Sequence, residues 1–311
     1  MPMSTSTSIR TDLAMEARAL HPELDGVTEE NEERDGIAIS RITVATEEAA
    51  KRLGKAPGRY VTLDAPELAS RPPELFRRVS QAASGELLRL IGELEPQAPI
   101  LVVGLGNRAI TPDSLGPRTA EHVYVTRHIK QHMPDAIPQS ARAVSAISPG
   151  VLGVTGVETL EIVRGVVEKT KPALIIAIDS LASRRTERIS TTVQLTDAGI
   201  SPGAGVGNNR EGLNRETLGV PVIAIGVPLV VYASTISRDT IALIASDMGL
   251  INDEERVKRL AEKAISEKTG ELIVTPKEID SIVEDMTLIL ADSLNMALFG
   301  GDYDEVRALI A

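Results

Sequence analysis

The stretch P-A-L-I-I-A-I-D, residues 172–179, is the part of the sequence that decides the fold. Its six successive apolar residues, followed by an aspartate, have the length and composition of a strand that is buried on both faces. Two runs of the same kind are P-I-L-V-V-G (99–104) and P-V-I-A-I-G-V (221–227). Continuous apolar strands are typical of a parallel sheet with helices on both sides.

The segments between these runs have helical periodicity. We predict helices over 73–93, 117–133 and 155–170, and a further helix over 276–298 in a mostly helical C-terminal part. The segment 188–196 alternates in polarity and predicts an additional strand. The predicted fold is α/β: a three-layer α/β/α domain with a mostly parallel central sheet, a small additional strand insertion and C-terminal helices.

Composition excludes several classes of function. The 311 residues contain no cysteine, which removes disulfides, thiolate nucleophiles and thiolate zinc sites. The net charge of −11, without a long basic block, argues against direct nucleic-acid binding. We find neither an apolar stretch of membrane-spanning length nor a signal peptide, and therefore expect no membrane span and a cytoplasmic protein. The polar residues 1–12 predict a flexible arm, and the acidic residues 23–35 are expected to be exposed.

A glycine turn, G-L-G-N-R-A (104–109), follows one of the apolar runs and matches the pattern of a dinucleotide-binding turn. The continuation I-T-P-D-S-L-G-P contains two prolines and a glycine, so we expect the next helix to begin near Ser114 or Pro117 rather than at Gly106. We therefore interpret the turn as a tight connection at a strand end. Asn107 and Arg108 are candidates for holding the loop that follows.

Two other motifs fail on chemical grounds. G-I-S-P-G (199–203) matches the nucleophile elbow of serine hydrolases, but Pro202 has no N–H for an oxyanion, and no histidine follows His132. His128 and His132 have the i, i+4 spacing of a zinc site, but the glutamate of the zincin motif is missing between them. We interpret these histidines as solvated or locally hydrogen-bonded, and a metal site that also uses carboxylates stays open.

Two aspartates remain as candidates for chemistry. Asp179 directly follows the run of apolar residues, and Asp113 lies in the loop after the 99–104 strand. The carboxyl ends of parallel strands meet at one edge of the sheet, where open α/β folds build their sites. Both aspartates begin the triplet D-S-L.

Two carboxyl groups within hydrogen-bond reach tend to share a proton. The ionised group then accepts a proton from water while the protonated group donates to a carbonyl oxygen, a combination that hydrolyses an amide. Two other interpretations of these aspartates stay open at this point. They are helix capping, above all by Asp113, and the coordination of a metal ion by both carboxylates.

At these residues the sequence resembles the germination protease family of spore-forming bacteria. The matching segments are S-I-R-T-D-L-A-M-E-A (8–17), G-L-G-N-R-A-I-T-P-D-S-L-G-P (104–117), A-I-S-P-G-V-L-G-V-T-G-V-E-T (146–159), D-S-L-A-S-R (179–184) and Q-L-T-D-A-G-I-S-P-G-A-G-V-G-N (194–208). Several long and unusual segments in the same order are far more specific than a short motif.

The resemblance implies an atypical aspartic endopeptidase, similar in fold to hydrogenase-maturation endopeptidases and acting without a cofactor. The essential aspartates of the family fall on Asp113 and Asp179. It also implies a tetrameric zymogen that removes its own N-terminal arm, here at Asp12–Leu13. Residues 1–12 would then be a propeptide and 13–311 a single catalytic domain. The implied substrates are small acid-soluble spore proteins in the spore core.

Two other hypotheses about function stay open. The first is a metal-assisted peptidase of the hydrogenase-maturation type, in which Asp113 and Asp179 are ligands. The second is an assembly or binding protein that keeps the fold without catalysis.

Overall fold

The apolar run at 172–179 lies in the interior of the sheet. A computed structural model of the chain describes residues 11–201, 211–247 and 272–310. The strands of the described residues are β1 (Val27–Arg34), β2 (Ile37–Val44), β3 (Gly58–Asp64), β4 (Ile100–Gly104), β5 (Val144–Ile147), β6 (Leu174–Ser183), β7 (Thr192–Thr196), β8 (Val222–Tyr232) and β9 (Ile273–Val274). They form one sheet in the order β1-β2-β3-β7-β8-β6-β4-β5, and β9 pairs with β8.

The three apolar runs and β5 form the parallel part of this sheet. β6 pairs in parallel with β4 on one side and with β8 on the other, and β4 pairs in parallel with β5. The pairings among β1, β2, β3, β7 and β8 are antiparallel. The α/β fold class is therefore confirmed, with a mixed sheet whose parallel part comprises these four strands.

The additional strand predicted within 188–196 is β7, which joins the parallel part to the antiparallel part. The acidic segment at 23–35, which we expected to be exposed, contains the edge strand β1, and most of the side chains of this strand are exposed. Asp35 and Gly36, both with positive φ, form the two-residue turn to β2. Charged side chains on an edge strand oppose pairing with another chain.

Helices cover both faces of the sheet. Within the described residues they are α1 (Ala14–Leu20), α2 (Glu47–Leu53), α3 (Pro73–Ile91), α4 (Leu115–His122), α5 (Arg127–His132), α6 (Leu152–Thr155), α7 (Thr159–Thr170), α8 (Arg215–Leu218), α9 (Ala233–Asp247), α10 (Ile279–Phe299) and α11 (Tyr303–Ile310). None of these helices is both long enough and apolar enough to cross a membrane.

The alternation of side chains along β4 shows the layers. Val102 belongs to a buried cluster that includes residues of α3 and α10, such as Leu290. Its neighbour Val103 belongs to a second buried cluster that includes Val163 of α7. Because successive side chains of a strand point to opposite faces, these clusters are the two layers on either side of the sheet.

The single helix predicted over 117–133 is wrong, because the structure has α4 and α5 with a break between them. The break is tied to β5 through Thr126. Its backbone N–H donates to the carbonyl of Val144 at 3.0 Å, and its hydroxyl donates to the carbonyl of Arg142 at 2.5 Å. A backbone that bonds to a strand in this way cannot continue a helical ladder.

We expected the strand to end at Asp179, but β6 continues to Ser183. The pairing of β6 with β4 ends at Ile178, opposite Gly104, while its pairing with β8 continues through Asp179, opposite Gly226. Asp179 is therefore the first residue of β6 beyond β4, which gives this part of the strand an edge that β4 does not cover.

Candidate active site

A cavity of about 580 Å³ lies beside the extension of β6 beyond β4. Its walls come from both parts of the sheet and from the N-terminal segment of the described chain. The lining residues used below are Asp12, Lys55, Asp113, Asp179, Ala182, Gln194 and Gly226. Both aspartates singled out in the sequence thus line one cavity.

Asp179 is buried, with 7% of its surface exposed. Its Oδ1 accepts a hydrogen bond of 2.8 Å from the backbone N–H of Ser180. The pKa of Asp179 is raised to about 8. Burial is the largest cause, the negative charge of Asp113 adds to the rise, and the hydrogen bond from the Ser180 N–H opposes it. A carboxyl group with this pKa holds its proton at neutral pH.

Asp113 lies at the end of a short 3₁₀ turn, Thr111–Asp113, directly before α4. Its Oδ2 accepts a hydrogen bond of 2.7 Å from the backbone N–H of Asn107. The side chain of Asn107 accepts from the N–H of Ala109 at 3.0 Å, and Arg108 forms an exposed ion pair of 2.7 Å with Glu121 of α4. The loop therefore holds the Asp113 carboxylate through a backbone amide, while Arg108 ties the loop to the helix.

The glycine turn at 104–109 allows this arrangement. Gly106 has a φ of +113°, and a Cβ at this position would lie 2.1 Å from the carbonyl oxygen of Asp113. A Cβ at Gly104 would lie 2.2 Å from the carbonyl oxygen of Gly116. Both glycines are needed because the chain that carries Asp113 passes directly against the end of β4. No helix begins at Gly106, as we predicted, and α4 begins at Leu115.

The bond between Asp12 and Leu13 is held at this cavity from both sides. The N–H of Asp12 donates to the carbonyl of Ala182 in β6 at 2.9 Å, and the N–H of Ala182 donates to the Asp12 carboxylate at 2.8 Å. Gln194 of β7 donates from Nε2 to the carbonyl of Asp12 at 3.0 Å. Leu13 is fully buried.

A positive charge faces the Asp12 side chain. Lys55, in the loop after α2, donates from Nζ to the carbonyl of Thr11 at 2.9 Å. Burial raises the pKa of Asp12, and the charge of Lys55 partly offsets this rise. Burial also lowers the pKa of Lys55, while Asp12 and Glu16 oppose that change. The charge of Lys55 thus stabilises the ionised form of the acidic side chain at position 12.

Glu16, four residues after Asp12, is buried as well, with 4% of its surface exposed. Its carboxylate accepts hydrogen bonds from the backbone N–H groups of Arg184 at 2.7 Å and Arg185 at 3.0 Å. Arg188 lies 3.4 Å from the same carboxylate, and the hydroxyl of Thr11 also donates to it. The segment from Thr11 to Glu16 is therefore bound along its length by the turn after β6 and by both parts of the sheet.

The remaining sequence motifs lie elsewhere. His128 and His132 are both exposed on or at the end of α5, as the solvated interpretation requires. Of G-I-S-P-G, Pro202 and Gly203 fall outside the described residues. Asp113 does not cap α4, since the N-cap residue is Ser114 and the Asp113 carboxylate accepts from Asn107.

The described residues contain no group of three or more histidine, aspartate or glutamate side chains that could hold a metal ion. In the metal-assisted alternative, Asp113 and Asp179 would be two of the ligands of the metal.

The sequence patterns did not identify Gln194 or Lys55 as residues of this site. Gln194 lies in the alternating segment 188–196, where nothing in the pattern indicates which polar residues face a cavity. Lys55 lies in the loop after a short helix, and its sequence context does not distinguish it from a solvent-exposed lysine. Both residues approach Asp12 only through pairing that is distant in sequence.

Comparisons with known proteins agree on one family. The sequence profile of the family described as germination protease matches residues 7–269. A germination protease of Caldanaerobacter subterraneus subsp. tengcongensis is 44% identical over 308 residues, which cover 94% of this chain and 95% of the relative. Germination proteases of Clostridium perfringens and Bacillus cereus are 43% and 39% identical, each over 94% of this chain and over 95% and 94% of the respective relative. The chain belongs to the germination protease family, and is therefore a peptidase.

Proposed function

We propose that this protein is an aspartic-type endopeptidase that first cleaves its own Asp12–Leu13 bond and then degrades small acid-soluble spore proteins during germination. The observation that carries the proposal is the position of this bond. Its carbonyl is bound by Gln194 in a cavity that Asp113 and Asp179 also line. The names of the relatives support a protease that acts in germination.

The two carboxyl groups take different roles in this proposal. Asp179 holds the shared proton, because burial and the charge of Asp113 raise its pKa to about 8. Asp113, which accepts a hydrogen bond from the Asn107 N–H, is the ionised partner. Two carboxyl groups that interact in this way lose their two protons in two steps, whose pKa values belong to the pair.

Hydrolysis then proceeds with one water molecule. Asp113 takes a proton from the water while the oxygen of the water bonds to the carbonyl carbon of Asp12. Asp179 donates its proton to the carbonyl oxygen. When the C–N bond breaks, Asp113 delivers its proton to the nitrogen of Leu13, and a hydroxyl of the intermediate returns a proton to Asp179. The products are a carboxylic acid at Asp12 and an amine at Leu13, and the pair ends with one proton, as it began.

Residues 1–12 form the propeptide in this proposal, and residues 13–311 form the catalytic domain. The contacts of Asp12 with Ala182, and of Glu16 with Arg184 and Arg185, support this division. They hold the segment as a bound substrate and favour an acidic residue before the cleaved bond. The homotetramer and the location in the cytoplasm of the spore core rest on the family resemblance alone.

The test is the rate at which the purified full-length chain gains a Leu13 N-terminus, measured by intact-mass spectrometry. We expect Asp113→Asn and Asp179→Asn to slow its appearance at least about 10³-fold, since general acid–base groups contribute about 10²–10⁴-fold each. Asp292→Asn is a matched control, because this carboxylate on α10 accepts a hydrogen bond from Tyr303. It should process like the unchanged protein.

Processing of Asp113→Asn or Asp179→Asn at the rate of the control would overturn the proposal and favour a binding protein or a site elsewhere. The same reaction in the presence of a strong chelator separates the metal-assisted alternative. An unchanged rate supports the carboxylate pair, whereas complete loss with rescue by one kind of ion would replace it by a metal-assisted peptidase.

A further inference from the structure

Gln194 uses both ends of its side-chain amide on the segment that contains the bond between Asp12 and Leu13. Nε2 donates to the carbonyl oxygen of Asp12 at 3.0 Å, and Oε1 accepts from the N–H of Ala14 at 2.6 Å. The orientation of the amide is fixed, because a carbonyl only accepts and a backbone N–H only donates. Gln194 is also buried, with 6% of its surface exposed.

The sheet places this side chain in line with Asp179. Gly226 of β8 is paired with Asp179 of β6 on one side and with Gln194 of β7 on the other. Directly paired residues point to the same face, so the side chains of Asp179 and Gln194 leave the same face of the sheet about 10 Å apart. Gly226 has no side chain, and Leu181 packs over it at a distance that a Cβ would not allow.

The carbonyl oxygen bound by Gln194 is the atom on which negative charge develops when the bond is hydrolysed. A fixed N–H donor directed at such an oxygen stabilises the transition state more than the ground state, and its loss typically reduces the rate by about 10²–10³-fold. The second contact, from the N–H of Ala14 to Oε1, holds the backbone on the other side of the bond.

We propose that Gln194 is a third catalytic residue, which binds the peptide across the cleaved bond and donates an N–H to the carbonyl oxygen while negative charge develops on it and Asp179 protonates it. This inference rests on the proposed function. It assigns to β7 a part of the chemistry that neither the sequence motifs nor the aspartates indicate.

The test is the first-order rate at which the full-length chain gains a Leu13 N-terminus. Gln194→Glu keeps the length of the side chain and the acceptor for Ala14, but when ionised it has no donor for the Asp12 carbonyl. Gln194→Met keeps the length without any polar group. Thr62→Val is the control, because Thr62 is buried on β3, is paired with Gln194, and has a hydroxyl for which the structure shows no hydrogen-bond partner.

We expect Gln194→Met to slow processing about 100-fold or more relative to the unchanged protein at every pH. Gln194→Glu should be equally slow when its carboxyl is ionised and should recover relative to the unchanged protein in acid, because a protonated carboxyl regains a donor. A residue with a merely structural role would not produce this recovery. Thr62→Val should stay within about threefold of the unchanged protein, since no hydrogen bond is lost.

Processing of Gln194→Met at the rate of Thr62→Val would overturn the inference, and so would a defect of Gln194→Glu that is the same at every pH. If Gln194→Met does not fold, the pH dependence of Gln194→Glu decides. A normal rate in the Gln194 variants with no processing in Asp179→Asn refutes this inference alone. Normal processing in Asp179→Asn refutes the proposed function.

Discussion

The two parts of the sheet contribute different groups to one cavity. The parallel part carries Asp179 within β6, and the loop after β4 carries Asp113. The antiparallel part carries Gln194 on β7, and the loop that leads into β3 carries Lys55. In the proposed function, the parallel part therefore supplies the acid and base, while the antiparallel part binds the peptide.

Burial acts on the two parts in opposite directions along the pH scale. It raises the pKa of Asp179 and lowers the pKa of Lys55, so that each group is shifted toward its neutral form. Asp12 and Glu16 oppose the shift of Lys55, whereas Asp113 adds to the shift of Asp179. The N-terminal segment thus keeps the binding side charged, and the paired aspartates keep the chemical side protonated.

Among the changes that leave both carboxyl groups in place, the largest effect should come from Gly106→Ala, which disturbs only the parallel part. The new Cβ would clash with the Asp113 carbonyl at 2.1 Å, at a φ of +113° that alanine rarely adopts. Since a small misplacement of a reacting group costs about 10²-fold, we expect processing to slow by at least about that factor. The measurement is the rate of appearance of the Leu13 N-terminus.

Gly85→Ala is the matched control. Gly85 lies in α3, is exposed, and has no atom within 4 Å of an added Cβ. It should leave processing unchanged and stabilise the protein by up to about 1 kcal/mol. Equal rates for the two alanine variants would contradict the role given to the glycine turn.

Lys55→Met should have a smaller effect, because it alters binding and leaves both aspartates in place. We expect processing to slow about tenfold near neutral pH, consistent with the loss of a charge-assisted contact of about 1.5–3 kcal/mol that is partly compensated by the Ala182 N–H. In acid the deficit should shrink, because Asp12, whose pKa is raised, becomes neutral and no longer needs the positive charge.

Lys51→Met serves as the control for this comparison. Lys51 lies on the exposed face of α2, one turn before Lys55. A deficit of the same size in both variants would show that general charge, rather than the contact with the segment at 11–12, controls the reaction.

Asp179→Asn should also change the stability of the fold, by an amount that depends on pH. The pKa of Asp179 is about 8 in the folded protein and 3.8 in a model peptide, so the folded state binds a proton that the unfolded state has released between these values. The unchanged protein therefore loses stability as the pH rises from about 4 to about 8, and the asparagine variant does not lose this contribution.

We expect the melting temperature of Asp179→Asn to exceed that of the unchanged protein by a margin that grows over this range and is constant above it. The margin corresponds to a difference between the two free energies of unfolding on the order of a few kcal/mol. Intact mass should be checked so that unprocessed chains are compared. A margin that is independent of pH would contradict the raised pKa.

The sequence predicted what local patterns determine. Long apolar runs predicted the parallel strands, and charges placed directly after such runs or in the adjoining loop singled out Asp179 and Asp113. The break at Thr126 was not predictable, because it depends on hydrogen bonds to β5. Gln194 and Lys55 were not predictable either, because their position depends on the antiparallel pairing of β3 with β7, which brings together residues 128 to 136 positions apart.

The central claim is that a protonated and an ionised carboxyl group together hydrolyse the Asp12–Leu13 bond. The most direct measurement is the first-order rate of this cleavage in the full-length chain as a function of pH, with Lys55→Arg as a reference that keeps a positive charge across the range. We predict a rate that falls by about tenfold per pH unit above about pH 8 in both proteins, as the shared proton is lost. A rate that stays constant or rises above pH 8 would contradict the claim.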